Sequence, residues 1–156
     1  MKHPNPTETT GDELQLATFH LGDLRFGVDI LEIQEINRQR DLTLVPHTPR
    51  HVRGVINLRG EVVTVLDLRQ ILGLGELEFT RDTRNIVLHS GEEPVGVLVD
   101  RLSDVVTIQA SELQPPPANI SGLDARFMLG VHQQEGELLV VLRIEEILAP
   151  GEGAAA

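Results

Sequence analysis

No cysteine, tryptophan or tyrosine occurs among the 156 residues, and the one lysine is Lys2. Without cysteine there is no disulfide framework, no thiolate nucleophile and no thiolate metal site. Without a lysine in the body of the chain there is no phosphate-cradling loop of the Walker type. The only aromatic side chains are four phenylalanines, so the bases of single-stranded nucleic acid have little to stack on. A formal net charge of −11 excludes the same class of partner, because a phosphate backbone demands a basic face. No apolar run reaches the roughly 18–20 residues that span a bilayer. The polar start MKHPNPTETTGDE lacks the apolar stretch of a secretion signal. The chain therefore reads as a cytoplasmic protein with a protein-binding surface.

Catalytic constellations are missing as well. Ser90, Ser103, Ser111 and Ser121 are the only serines, and none stands in a glycine-flanked nucleophile turn. His47 and His51 have the i, i+4 spacing of a helical metal pair, but Pro46 and Pro49 break that helix. The carboxylates are spread along strand ends and turns. No enzyme activity, cofactor or metal is expected.

What the chain does contain is an internal repeat. Residues 54–72, GVINLRGEVVTVLDLRQIL, return 76 positions later as GVHQQEGELLVVLRIEEIL, with eight of nineteen positions identical. Gly54/Gly130, Gly60/Gly136, Val65/Val141, Leu66/Leu142 and Leu72/Leu148 are among the identities. A second echo, Phe26-Gly27-Val28 against Val95-Gly96-Val97, has an offset of 69. The glycines and apolar strands persist, while Asn57-Leu58-Arg59 becomes Gln133-Gln134-Glu135. A duplicated scaffold in which one loop keeps a task has this appearance.

Short apolar runs separated by turn residues at roughly ten-residue spacing predict an all-β barrel or sandwich. Residues 1–13 read as a mobile arm, 14–149 as the folded domain and 150–156 as a disordered tail. The first strand is expected over Leu14–Leu21. Phe26, Val28 and Ile30 alternate inward, and the phase flip at Ile30-Leu31 implies a bulge, or a short helix over Ile30–Ile36, with Leu31 and Ile33 continuing the apolar face. Leu42–Val45 reads as a strand, and Pro49 as the start of one helical turn through Val52, closed by Gly54. Val55–Leu58 and Glu61–Leu66 form a hairpin across Arg59-Gly60. Asp67 caps a short helix, Leu68–Leu72, stopped by Gly73. The polar stretch Gly73–Arg84 is expected to cross between halves, with residues 14–30 and 86–149 contributing mainly to one or other barrel.

The stretch Val52-Arg53-Gly54-Val55-Ile56-Asn57-Leu58-Arg59-Gly60, continued by Val65-Leu66-Asp67-Leu68-Arg69, resembles the hallmark of the CheW-like adaptor family of bacterial chemosensory arrays. Leu21-Gly22-Asp23, Phe26–Ile30, Val95–Asp100, Leu129-Gly130-Val131 and Leu138–Leu148 also match family positions, so the resemblance spans residues 14–149. Two positions depart from it. Thr64 replaces the usual proline, and Arg143 replaces an Asp or Asn, which removes a cap from the last helix.

The resemblance implies two pseudo-symmetric, five-stranded, SH3-like β-barrels packed on a shared core, with short helices. It implies a non-enzymatic adaptor joining the cytoplasmic tip of a methyl-accepting chemoreceptor to the regulatory domain of a chemotaxis histidine kinase, with ring self-association. Such an adaptor is cytoplasmic and recruited to receptor arrays without inserting into the membrane. Carried over residue by residue, the receptor- and kinase-binding positions are Ile33, Glu35, Gly54, Asn57, Leu58, Arg59, Val97 and Val99. Arg59 is expected to pair with Glu35, and Val97 and Val99 to floor the groove between the barrels. Gly54 and Gly60 read on their own as positive-φ turn residues, and Asp67 as a cap. Two alternatives stand behind it: a regulatory domain cut from a chemosensory kinase, although no ATP-binding motif is present, and a small-ligand sensor using the groove, although nothing convergent and polar marks such a pocket.

Overall fold

The computed structural model of the chain describes residues 12–38, 41–91, 93–118, 120 and 122–149. The expected arm and tail lie outside these, apart from Asp12 and Glu13. Ten strands follow in order: β1 (Glu13–Leu21), β2 (Leu24–Asp29), β3 (Ile33–Asn37), β4 (Val52–Leu58), β5 (Glu61–Asp67), β6 (Arg84–Ser90), β7 (Glu93–Val99), β8 (Arg101–Gln109), β9 (Met128–Gln134) and β10 (Glu137–Leu142). Short helices at Leu68–Ile71 and Ile144–Ile147 follow β5 and β10.

The strands form two five-stranded sheets, each a small SH3-like barrel. Barrel I has the order β8-β1-β2-β10-β9, and barrel II has the order β3-β6-β7-β5-β4. Each has one parallel pair, β2 with β10 and β5 with β7, while its other pairs are antiparallel. The repeats are interlaced. The first copy gives its leading hairpin, β1–β2, to barrel I and its next three strands to barrel II. The second copy does the reverse. Neither copy contains a complete sheet.

The ladders repeat at the level of register. Ile33 faces Leu88 and Ile36 faces Ile86 across β3–β6. Leu102 faces Phe19 and Val105 faces Ala17 across β8–β1. All four residues map onto their counterparts at an offset of 69, and both ladders shift register at the same place. The bulge therefore lies inside the third strand of each copy.

The apolar residues divide accordingly. The main cluster joins Phe19, Phe26 and Val28 of barrel I to Ile86, Leu88, Val97 and Val99 of barrel II. The rings of Phe19 and Phe26 lie 5.9 Å apart. Each barrel adds only a minor core of its own: Ile56, Val63, Val65, Leu77 and Leu98 in barrel II, and Leu16, Ile108, Leu139 and Val141 in barrel I. Burial is thus concentrated between the barrels, because neither is large enough to enclose a generous core.

Several local expectations are corrected. The phase flip after Asp29 is a 3-10 turn, Ile30–Glu32, capped by the Asp29 carboxylate, and Leu31 projects into solvent at 81% exposure. Within 42–45 only Thr43 pairs, as a single bridge to Val55. Pro49 opens one turn, closed by Val52 N–H donating to its carbonyl at 3.0 Å, but Gly54 lies inside β4. The segment after Gly73 does join the two copies, as expected, but both of its ends lie in barrel II. The crossings between barrels are at residues 30–32 and at Asp100. Strands β6 and β7 belong with β3–β5, so residues 86–99 do not share a barrel with 101–149.

Candidate functional site

The hairpin β4–β5 turns on Arg59 and Gly60, with φ of 53° and 89°. Two consecutive positive values make the tight turn whose twist matches that of the flanking strands. Asn57 holds it, its Oδ1 accepting from Gly60 N–H at 2.9 Å. Leu58 is half-buried against the minor core of barrel II. Arg59 itself extends outward, its side chain 68% exposed, and donates from Nη2 to Glu35 Oε2 on β3. The hydrogen bond to Glu35, with the charges of Glu35 and Glu61, raises the pKa of a guanidinium that is already always charged. The hairpin tip is thereby closed onto the free edge of the sheet.

Below the turn, Asp67 ends β5 with no solvent exposure. Its Oδ1 caps the helix by accepting from Gln70 N–H at 3.2 Å. Its Oδ2 accepts from Leu77 N–H at 2.9 Å and Arg53 Nη1 at 3.1 Å. Arg53 also donates to Leu77 O and lies over the Phe79 ring. Asp67 and Arg53 thus pin the segment after the helix to the base of the hairpin.

The second copy has the same turn with different chemistry. Glu135 and Gly136 have φ of 48° and 77°, but Glu135 stands for Arg59 and Asp104 for Glu35. The tie between hairpin and edge strand runs instead through buried groups. Thr18 Oγ1 donates to Asp104 O, Arg25 donates to Thr18 at 3.2 Å, and Arg25 reaches Gln134 at 3.4 Å. One barrel therefore displays a cation at its tip and the other an acid.

The structure brings Glu35, Asn57, Leu58 and Arg59 together on the β3 side of barrel II. Ile33, on the same strand, is half-buried against the shared core. Gly54 is not part of that surface. It is buried, and a Cβ there would stand 2.6 Å from Thr43 O. Its duplicate Gly130 faces Gln114 O in the same way, at 3.0 Å. The glycines persist because two backbones cross closely at the Thr43–Val55 and Gln114–Val131 bridges.

Val97 and Val99 are also removed from the surface, with 2% and 0% exposure in the middle of the shared core. The apolar groove between the barrels, about 270 Å³, is walled by Pro49, Val52, Leu66 and Val95 from barrel II and by Ile147 and Leu148. His51 lines it too. Burial holds its imidazole below the usual range, against the pull of the Asp67 charge. The sequence reading missed Leu102 and Val105 on β8, which are 38% and 62% exposed. The offset of 69 that relates them to Ile33 and Ile36 was the available signal.

A family model described as CheW-like domain matches residues 15–151. Chemotaxis protein CheW of Klebsiella aerogenes is 34% identical over 147 residues, covering 94% of this chain and 87% of the relative. Chemotaxis protein CheW of Helicobacter pylori is 35% identical over 141 residues, covering 90% and 85%. Among solved structures, the scaffolding protein TtCheW from Thermoanaerobacter tengcongensis superposes with a TM-score of 0.81 at 25% identity, covering 94% of this chain and 92% of that one.

Proposed function

The chain belongs to the CheW-like domain family, and we propose from that membership that it is a non-enzymatic scaffold coupling chemoreceptors to a chemotaxis-type histidine kinase. The observation that carries this reading is the family match over nearly the whole chain. Among the described residues no group of three or more potential ligands is placed to hold a metal, and no helix is long and apolar enough to cross a membrane.

The receptor tip and the kinase regulatory domain meet the chain on the β3 side of barrel II, through Ile33, Glu35, Asn57, Leu58 and Arg59. The groove walled by Val52, Leu66 and Val95 takes the role first expected of Val97 and Val99. Leu102 and Val105 give barrel I a quasi-equivalent apolar edge, and ring association uses the two edges. An exposed charge pair is a weak source of affinity but a strong source of register and discrimination, because juxtaposed like charges are costly.

Reconstitution tests the proposal. Receptor-bearing membranes, the cognate kinase and ATP are mixed with and without the purified chain. Kinase autophosphorylation that responds to receptor ligand only when the chain is present supports it. A kinase response indifferent to the chain refutes it.

A further inference from the structure

The offsets relating the two copies also relate the two seams where the barrels meet. Gly22 in the β1–β2 turn corresponds to Gly91 in the β6–β7 turn, and both have φ of 61°. Asp100, at the passage from β7 to β8, corresponds to Leu31, at the passage from β2 to β3. Arg69 in the first helix corresponds to Glu145 in the second. The backbone frame is duplicated while the chemistry is not.

At the first seam Asp100 Oδ2 accepts from Gly22 N–H of barrel I at 2.7 Å. Arg69 grips the same carboxylate from barrel II, Nη2 to Oδ2 at 2.7 Å and Nε to Oδ1 at 3.0 Å. Its Nη1 is held by Leu74 O at 3.0 Å, which fixes the guanidinium plane. A side chain on Gly22 would press on Arg69, since a Cβ there lies 3.3 Å from Nη2. Two parallel donors on one carboxylate set geometry as well as energy.

At the second seam none of these bonds has the atoms to form. The Leu31 side chain accepts nothing and projects into solvent. Glu145 carries the charge opposite to that of Arg69. The local carboxylate, Asp29, caps its own chain at Leu31 N–H, 2.9 Å away, instead of reaching across. Hollows of about 440 and 410 Å³ flank the two seams, so volume does not distinguish them; among the described residues, bonding does.

We propose that Arg69 is a positioning residue: with Asp100 it latches the barrels at one seam, and they hinge about that latch to open and close the seam of Leu31, Gly91 and Glu145. Strand β8 starts at Arg101, directly after the latch, so the Leu102 and Val105 edge is held fast. Strand β3 starts two residues after Leu31, so the edge carrying Glu35 moves with the free seam. The inference concerns barrel geometry alone and does not depend on the coupling role.

The cysteine-free chain allows clean paired spin labels, and pulsed electron resonance reads the distance distribution between them. Labels at Asp23 and Gln70 report the latched seam, and labels at Glu93 and Glu146 report the free one. The latched pair is expected to give the narrower distribution. Arg69→Met should broaden it to match the free pair, and Arg69→Lys should broaden it less. Because Arg69→Met alone risks unfolding, a second variant transplants the latch: Leu31→Asp with Glu145→Arg should narrow the free-seam distribution in an otherwise unchanged protein. Equal widths in the parent protein, or a transplant that leaves the free seam as broad as before, would overturn the proposal.

Discussion

Gly54 faces the carbonyl oxygen of Thr43 so closely that a Cβ would come within 2.6 Å of it. The neighbour is backbone held in a bridge, with N–H and C=O of Thr43 both bonded to Val55, so it has little room to give. Gly54→Ala should therefore destabilise the fold by about 1–3 kcal/mol, the usual cost of overpacking. Gly130→Ala, where the approach is 3.0 Å, should cost less. Urea denaturation of the two variants checks the order. A Gly54→Ala protein of parental stability would contradict the steric account and return Gly54 to the binding surface.

Asp67 and Arg143 occupy the same position in the two copies, before the two short helices. Asp67 caps its helix, and Arg143 makes no side-chain capping bond. Arg143→Asp should stabilise the protein by roughly 1 kcal/mol, as a gained N-cap does. Asp67→Ala removes the cap and strands the Arg53 guanidinium, so a loss on the order of 3–5 kcal/mol is expected. Thermal melts of both variants test the contrast in sign.

The interlaced copies predict that the barrels unfold together. Calorimetry should show one transition, and chain fragments cut between β5 and β6 should stay unfolded apart and regain structure when mixed. Each fragment lacks strands from both sheets, and the principal core lies between the barrels. Two separate transitions, or one fragment folding alone, would contradict this.

His51 gives the fold a pH dependence of known sign. Its pKa is lowered in the folded state by burial, so the unfolded chain takes up the proton first as pH falls below about 6.5. Its contribution to stability is present above that value, declines as pH drops toward the folded pKa, and is level below it. His51→Gln should remove this increment. Unfolding free energies of the parent and variant proteins between about pH 7.5 and pH 5 should diverge in that direction.

The strands and the duplication were legible because each leaves a local mark, alternation and repeated glycines, whereas the Arg59–Glu35 pair, 24 residues apart, came from the family resemblance alone. The interlacing left none, since either pairing of hairpins with strands satisfies the same alternation. Leu31 reads as a core residue in the sequence because a 3-10 turn and a bulge produce the same shift of phase. Val97 and Val99 looked like a groove floor because an apolar residue on a strand reads the same whether it faces partner or core. Only the sheet order shows that β7 is flanked by β6 and β5 and has no free edge. The exposed apolar pair falls instead on β8, an edge strand on which Leu102 and Val105 stand among Arg101, Ser103, Asp104 and Thr107.

The barrel II hairpin is expected to carry coupling and its duplicate is not. Arg59 is exposed and Glu135 stands at the same turn with the same backbone, so charge reversal at either tip should leave the melting temperature within the small range that surface substitutions produce. The deciding measurement is receptor-dependent kinase activation with Arg59→Glu and with Glu135→Arg, each folded and at matched concentration. A sharp fall is expected for Arg59→Glu and little change for Glu135→Arg. Equal impairment by both, or full activation with Arg59→Glu, would contradict it.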